Sequence, residues 1–253
     1  FAPTASRDQA IANNVMSTIS RLLKKFEPEA VAWAEDGGDS GRGHMFPGYK
    51  GDRKSLNPVA KESFVRMQNF VNEGLEKMGI KRVRVDGFEA DDLMATLSLR
   101  VGSHPEWKSV IVGSDKDLLQ VVSDRCHILM IGRGGKKPIP DTLIDPSNAQ
   151  GRLGVPPEQV IDYLALIGDS SDSIPGVDGI GPKGAQDLLA KYGTIEAIYA
   201  NLEHMPAGRY KTALEKGREM ALLSQRLVRL QTDVPVPRGI DFRIKRSGPQ
   251  IKG

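Results

Sequence analysis

Residues 168–185 read GDSSDSIPGVDGIGPKGA, and the second half of that run decides the character of the chain's C-terminal part. A Gly-Ile-Gly turn, Gly179 to Gly181, leads into Pro182, Lys183, Gly184 and Ala185. Proline suits a first helical turn, because the N–H it lacks is one the helix leaves unpaired anyway. Gly179 and Gly181 permit backbone torsions that other residues resist, and Ile180 can pack between two flanking helices. Free N–H groups in the turn and at the next helix start suit an anion such as a nucleic-acid phosphate. Such a helix–hairpin–helix unit grips a duplex by its backbone without reading bases. No strand–helix–strand unit surrounds the glycines, so they are not a dinucleotide-binding fingerprint.

Downstream and just upstream of this run the chain reads as helical. Helices are expected over Pro156–Ile167, Lys183–Lys191 and Ile195–Leu202, with one or two more between Gly208 and Leu230. The tail from Pro235 is rich in Pro, Arg and Lys and is expected to fray.

The first part of the chain has a different rhythm. An amphipathic helix is expected over Ala12–Phe26, then a short apolar strand at Ala30–Ala34 ending in Glu35-Asp36-Gly37-Gly38. A basic, Gly/Pro-punctuated segment follows. Asn57 can cap a helix whose first-turn residue is Pro58 and whose apolar residues recur from Ala60 to Met78. Strands at Arg82–Val85, Ser109–Val112 and His127–Ile131 alternate with helices at Glu89–Leu99 and Asp117–Val122. Strands separated by helices imply an α/β class, with a mostly parallel sheet flanked by helices on both faces. The expected division is residues 1–150, including a basic segment at about 45–70, and a mainly helical part at 151–253.

Composition narrows the chemistry. The 253 residues carry 35 Lys+Arg against 32 Asp+Glu, a net +3. The single cysteine, Cys126, excludes an intramolecular disulfide framework and a cysteine zinc site, and points to an intracellular, reducing setting. The four histidines form no HxH or HxxxH pair. No apolar run approaches the ~20 residues of a membrane helix, and the start has no secretory pattern. Any metal must therefore be held by carboxylates, which suits hard ions such as magnesium or manganese.

The carboxylates are bunched. Asp36 ends one strand; Asp115 and Asp117 follow another; Glu89, Asp91 and Asp92 open a helix; Asp169 and Asp172 sit before the hairpin. Open α/β sheets bind ligands beyond the carboxyl ends of their strands. Like charges gathered there cannot all stay ionised without cations. Two metals ~4 Å apart would clamp the attacking and leaving oxygens of a phosphodiester.

Taken in order and spacing, FPGYKGDR (46–53), GFEADDL (87–93), SDKDLLQ (114–120) and GDSSDSIPGVDGIGPKGA (168–185) resemble the flap endonuclease / 5′–3′ exonuclease family. The bacterial branch is the nearest, the N-terminal nuclease domain of DNA polymerase I and its stand-alone or phage relatives. The resemblance runs from about residue 10 to residue 232. It implies a PIN/FEN-like sheet domain with a helical arch, joined to a helix-3-turn-helix subdomain.

The family also implies roles. Glu89, Asp91, Asp92, Asp115 and Asp117 resemble acids at a first metal, Asp169 and Asp172 the pair at a second, and Asp36 the acid ending the second strand. Tyr49, Lys50 and Arg53 match the base of the arch. There Lys50 would stabilise charge on the scissile phosphate, Arg53 contact phosphate and Tyr49 stack on a base. Gly179, Gly181, Lys183 and Gly184 would meet duplex DNA, and carbonyls of Val177 and Ile180 would hold a potassium ion. Implied cofactors are two Mg2+ or Mn2+. Implied partners are flap, pseudo-Y or nicked duplex DNA, RNA-primed ends included, and a polymerase, fused or separate; the protein would be a monomer.

Three departures stand out. The family opens with a strand ending in a metal-binding Asp-Gly, which has no counterpart after Phe1. The stretch between Asp36 and Phe46 lacks a clear Phe-Arg pair, and Ser173 stands where the family has Asn. The first departure leaves an alternative, a catalytically impaired junction-DNA-binding module.

Overall fold

The structure is a computed structural model that describes residues 4–51, 57–133 and 138–244. In chain order the elements are α1 (Ala5–Phe26), β1 (Ala32–Glu35), α2 (Arg42–Met45), α3 (Pro58–Lys77), β2 (Lys81–Arg84), α4 (Ala90–Gly102), β3 (Ser109–Val112), β4 (Cys126–Met130), β5 (Thr142–Ile144), α5 (Gln150–Leu153), α6 (Val160–Ile167), α7 (Pro182–Tyr192), α8 (Ile195–Ala200) and α9 (Arg209–Val228). Short 3₁₀ turns cover Lys116–Val121 and Pro157–Gln159. They form two compact units, each discontinuous in sequence.

The first unit takes residues 1–36, 53–85 and 235–253. Helices α1 and α3 pack on each other, with Ala12, Val71, Leu75 and Ile80 at the centre and Met16, Ile19 and Trp33 around them. Leu75 is fully buried, a burial worth ~2 kcal/mol. The Asn57 side chain caps α3, accepting from the Ala60 N–H at 2.8 Å, as the Asn-Pro signal foretold. Strands β1 and β2 pair in parallel from Ala32↔Lys81 to Glu35↔Arg84. The tail does not fray before residue 245: the Val31 N–H donates to the Phe242 carbonyl at 2.9 Å, and the Ile244 N–H to Glu29 at 3.1 Å. Backbone pairing overrides the polar composition of that segment.

The second unit takes residues 37–52 and 86–234. Its sheet is β3-β4-β5, with β3 and β4 parallel and β5 antiparallel. The expected mostly parallel α/β character holds, but the strands lie in two small sheets and β5 is an addition to the sequence reading. Cys126 and Ile128 on β4 are buried, so the lone cysteine is a core residue. The core continues through α6, α7, α8 and α9. The chain from Gly208 to Leu230 makes one helix, and the expected helix at 117–122 is a 3₁₀ turn starting at Lys116.

Candidate metal centre

Apart from Asp36 and its contact with Arg84, the following geometry lies within the second unit. Strand β3 ends at Val112, and Asp115 then caps the 3₁₀ turn, its carboxylate accepting from the Asp117 N–H at 3.1 Å. The cap turns Asp117 inward, where it is buried. Asp169 follows α6, in a loop closed on itself: Asp169 and Ile174 exchange backbone hydrogen bonds of 2.8 and 2.7 Å. Asp169 is buried as well. One oxygen from each of Asp115, Asp117 and Asp169 lies within 4.8 Å of the others.

The electrostatics of this trio are unresolved by protein alone. Burial, and then the neighbouring Asp115, Asp169 and Asp172, push the Asp117 carboxyl up to about 8. Burial also pushes Asp169 up, but the Lys116 ammonium and the Ser171 hydroxyl and N–H outweigh it and hold it below its ordinary value. Among the described residues, Asp117 Oδ1 and Asp169 Oδ2 are buried and lack any hydrogen-bond partner. A buried acceptor without a donor costs ~1–3 kcal/mol. Hard oxygen donors, mutual repulsion and two orphaned oxygens together fit a divalent cation.

Beside the trio stands a second pair of carboxylates, Glu89 and Asp172, with one ammonium between them. Lys50 Nζ lies 2.8 Å from Glu89 Oε2 and 3.7 Å from Asp172 Oδ2. The Tyr49 hydroxyl reaches Glu89 Oε2 at 3.1 Å and Asp172 Oδ2 at 3.3 Å. The Lys50 N–H also donates to the Asp172 carbonyl at 2.9 Å, with Lys50 held at φ +49. So the turn after Phe46 is stitched directly to the loop before the hairpin. The Tyr49 ring is only 7% exposed, with the Lys50 ammonium 5.1 Å from its centre. It offers no open face on which a base could stack, because the ring is packed into the hydrophobic core while its hydroxyl links two carboxylates.

Asp92 has another use. It is fully buried, and Arg42 grips it with two prongs of 2.9 and 2.8 Å. The Gln231 N–H and the Glu89 N–H add 2.8 and 3.2 Å contacts. With four donors on its two oxygens, Asp92 anchors the start of α4. Asp91 is half-buried, one residue before it, and is not among the three clustered acids. Asp36 belongs to the first unit, where its carbonyl accepts from Arg84 at 2.8 Å. Arg53 lies outside the described residues.

The hairpin spans the end of α6 and the start of α7. Gly179 has φ +83, a torsion that favours glycine, whereas Gly181 is ordinary extended backbone at φ −94. The sequence reading overstated Gly181; only one of the two glycines is needed for its torsion. Gly184 lets the Tyr210 ring pack against the start of α7, since a Cβ there would lie 2.8 Å from the ring and push it aside. The Val177 carbonyl accepts from the Ile180 N–H at 3.0 Å, and Val177 and Ile180 are buried. Lys183 extends from the first turn of α7, exposed and 2.9 Å from Asp187.

Sequence reasoning missed Arg42, Lys116 and Ser171. Lys116 had a signal, a lone cation between Asp115 and Asp117. Arg42, inside GGDSGRGHM, had none, since its partners, Glu89 and Asp92 among them, lie far along the chain.

Comparison with known proteins places this geometry. Family models described as "5'-3' exonuclease, N-terminal resolvase-like domain" and "5'-3' exonuclease, C-terminal SAM fold" match residues 4–153 and 155–250. DNA polymerase I of Synechocystis is 33% identical over 238 residues, covering 92% of this chain and 24% of the relative. DNA polymerase I of Bacillus caldotenax is 32% identical over 244 residues, covering 94% and 27%. The chain thus spans about a quarter of the length of these relatives. A structure of T5 5′-exonuclease with divalent zinc ions superposes with TM-score 0.73 at 23% identity, covering 87% of this chain and 82% of that one. Human GEN1 with Holliday junction DNA gives 0.59 at 15%, covering 92% and 56%. At those identities the structural matches speak for the fold.

Proposed function

Because this chain belongs to the 5′–3′ exonuclease family, we propose that it is a structure-selective 5′ nuclease. It would hydrolyse one DNA phosphodiester at a single-strand/duplex junction, leaving a 5′-phosphate and a 3′-hydroxyl. The observation that carries this reading is the trio Asp115, Asp117 and Asp169 with its two orphaned buried oxygens.

Asp115, Asp117 and Asp169 would hold one divalent ion, and Asp172 with Glu89 would border a second, Mg2+ or Mn2+ in each case. Asp92 is left out of the ligand set, because Arg42 occupies it. Bound there, such ions supply charge neutralisation at the attacking and leaving oxygens. Lys50 lies between Glu89 and Asp172 and would swing its ammonium onto a non-bridging phosphate oxygen. Tyr49 keeps Glu89 and Asp172 at a fixed separation while it does so. The α7 start, with Lys183 and Gly184, would seat duplex phosphate, and the Val177 and Ile180 carbonyls a potassium ion. The division into a nuclease part before residue 150 and a duplex-binding part after it follows the same assignment. The relatives named DNA polymerase I support a polymerase as partner, fused or separate, and the proposed substrates are flap, nicked or RNA-primed DNA inside the cell.

The test is a panel of 5′-labelled DNAs with magnesium: a 5′-flap duplex, a nicked duplex, the free single strand and a blunt duplex. Cuts concentrated beside the junction are expected. Equal cutting of free single strand would remove the junction selectivity, and binding of the flap without any cutting would favour a binding module.

A further inference from the structure

Lys116 is the one residue of the Asp115–Asp117 run that carries a positive charge, and its Nζ lies 2.7 Å from Asp169 Oδ1. The same oxygen accepts from the Ser171 N–H at 2.8 Å and from the Ser171 hydroxyl at 2.5 Å. Three donors thus converge on Oδ1, while Oδ2 of the same carboxylate is buried without any partner. The two oxygens of Asp169 thus differ, Oδ1 held by three protein donors and Oδ2 left for a ligand, in a carboxylate that brings one oxygen within 4.8 Å of oxygens of Asp115 and Asp117.

We propose that Lys116 and Ser171 are positioning residues that fix Asp169 as a one-oxygen ligand and so make the centre select a small six-coordinate ion over calcium. This rests on the metal reading of the trio. A carboxylate free to rotate offers both oxygens, and Ca2+, with 6–8 ligands at flexible geometry, profits from that. Mg2+ demands near-octahedral geometry and keeps several waters, so one well-aimed oxygen suits it. Lys116 also lies within the acid cluster as a counter-charge, which would weaken every divalent ion alike. Orientation and charge therefore leave different marks: orientation changes the ratio between ions, charge changes all affinities together.

Calorimetric titration of the metal-free protein with MgCl2 and with CaCl2 separates them, for wild type, Lys116→Met and Ser171→Ala. In Lys116→Met the Ca2+-to-Mg2+ affinity ratio should rise about tenfold, the scale of outer-partner effects on metal sites. Ser171→Ala keeps the lysine charge and should shift the ratio the same way by less. It decides the matter alone if Lys116→Met does not fold. Unchanged ratios in both variants overturn the inference while leaving the metal centre standing. Stronger binding of both ions by the same factor in Lys116→Met, with no change in Ser171→Ala, overturns it too, since Lys116 is then a charge alone. A wild-type protein that binds neither ion overturns both the inference and the reading beneath it.

Discussion

Arg42 and Asp92 form a buried two-pronged ion pair, Nη1 to Oδ2 at 2.9 Å and Nη2 to Oδ1 at 2.8 Å. Arg42 further donates to the carbonyls of Leu227 and Arg229 at 3.1 and 3.0 Å. One guanidinium thereby ties the start of α4 to the end of α9. Removing one partner of such a pair leaves a buried charge uncompensated. Arg42→Met should lower unfolding stability by ~3–5 kcal/mol, and Asp92→Leu placed on top should recover part of the loss. Urea denaturation of the single and double variants checks both.

Asp117 gives a pH signature. Its folded-state value of about 8 lies above the ordinary 3.8, so the folded chain holds a proton there that the unfolded chain has lost. That contribution to stability is full at low pH and disappears as pH rises through the window between those values. Without metal, the protein should be less stable at pH 8.5 than at pH 6, and Asp117→Asn should remove that part of the decline. Magnesium should remove it too, because the ion replaces the proton. Thermal melts in chelator and in magnesium across this range measure it.

Lys50 should separate binding from chemistry. It faces Glu89 and Asp172, not a part of the hairpin. Lys50→Ala is expected to lower kcat by ~100-fold or more while changing flap-DNA Kd only a few-fold. Single-turnover cleavage alongside an anisotropy titration distinguishes the two quantities.

Lys183 should do the reverse. Its side chain is exposed at the start of α7. Lys183→Ala should weaken duplex binding by a similar factor for all sequences, and reduce the slope of log K against log salt by about one. Cleavage at saturating DNA should stay near wild type.

Much of this was legible in the sequence because the signals are local. Asn57-Pro58 announced α3, the run at 109–112 announced β3, and the acids after it marked a strand end where a site could form. What was hidden depends on distant partners. Nothing near Asp92 says that its oxygens are taken, because Arg42 lies 50 residues before it. Nothing in Thr142–Ile144 marks a strand, since three residues carry too little pattern until Met130 pairs with Thr142. Tyr49 read as a base-stacking residue in a basic loop; in the structure its ring packs into the core and its hydroxyl bonds Glu89 and Asp172, partners 40 and 123 residues away.

The central claim is that the buried carboxylates hold metal for phosphodiester hydrolysis. The direct measurement is cleavage of an end-labelled 5′-flap duplex in magnesium and in chelator, by wild type and by folded Asp115→Ala and Asp169→Ala. Cutting beside the junction that stops in chelator and falls at least ~100-fold in both variants is the expected result. Cutting that survives chelator, or that Asp169→Ala performs as well as wild type, would contradict it.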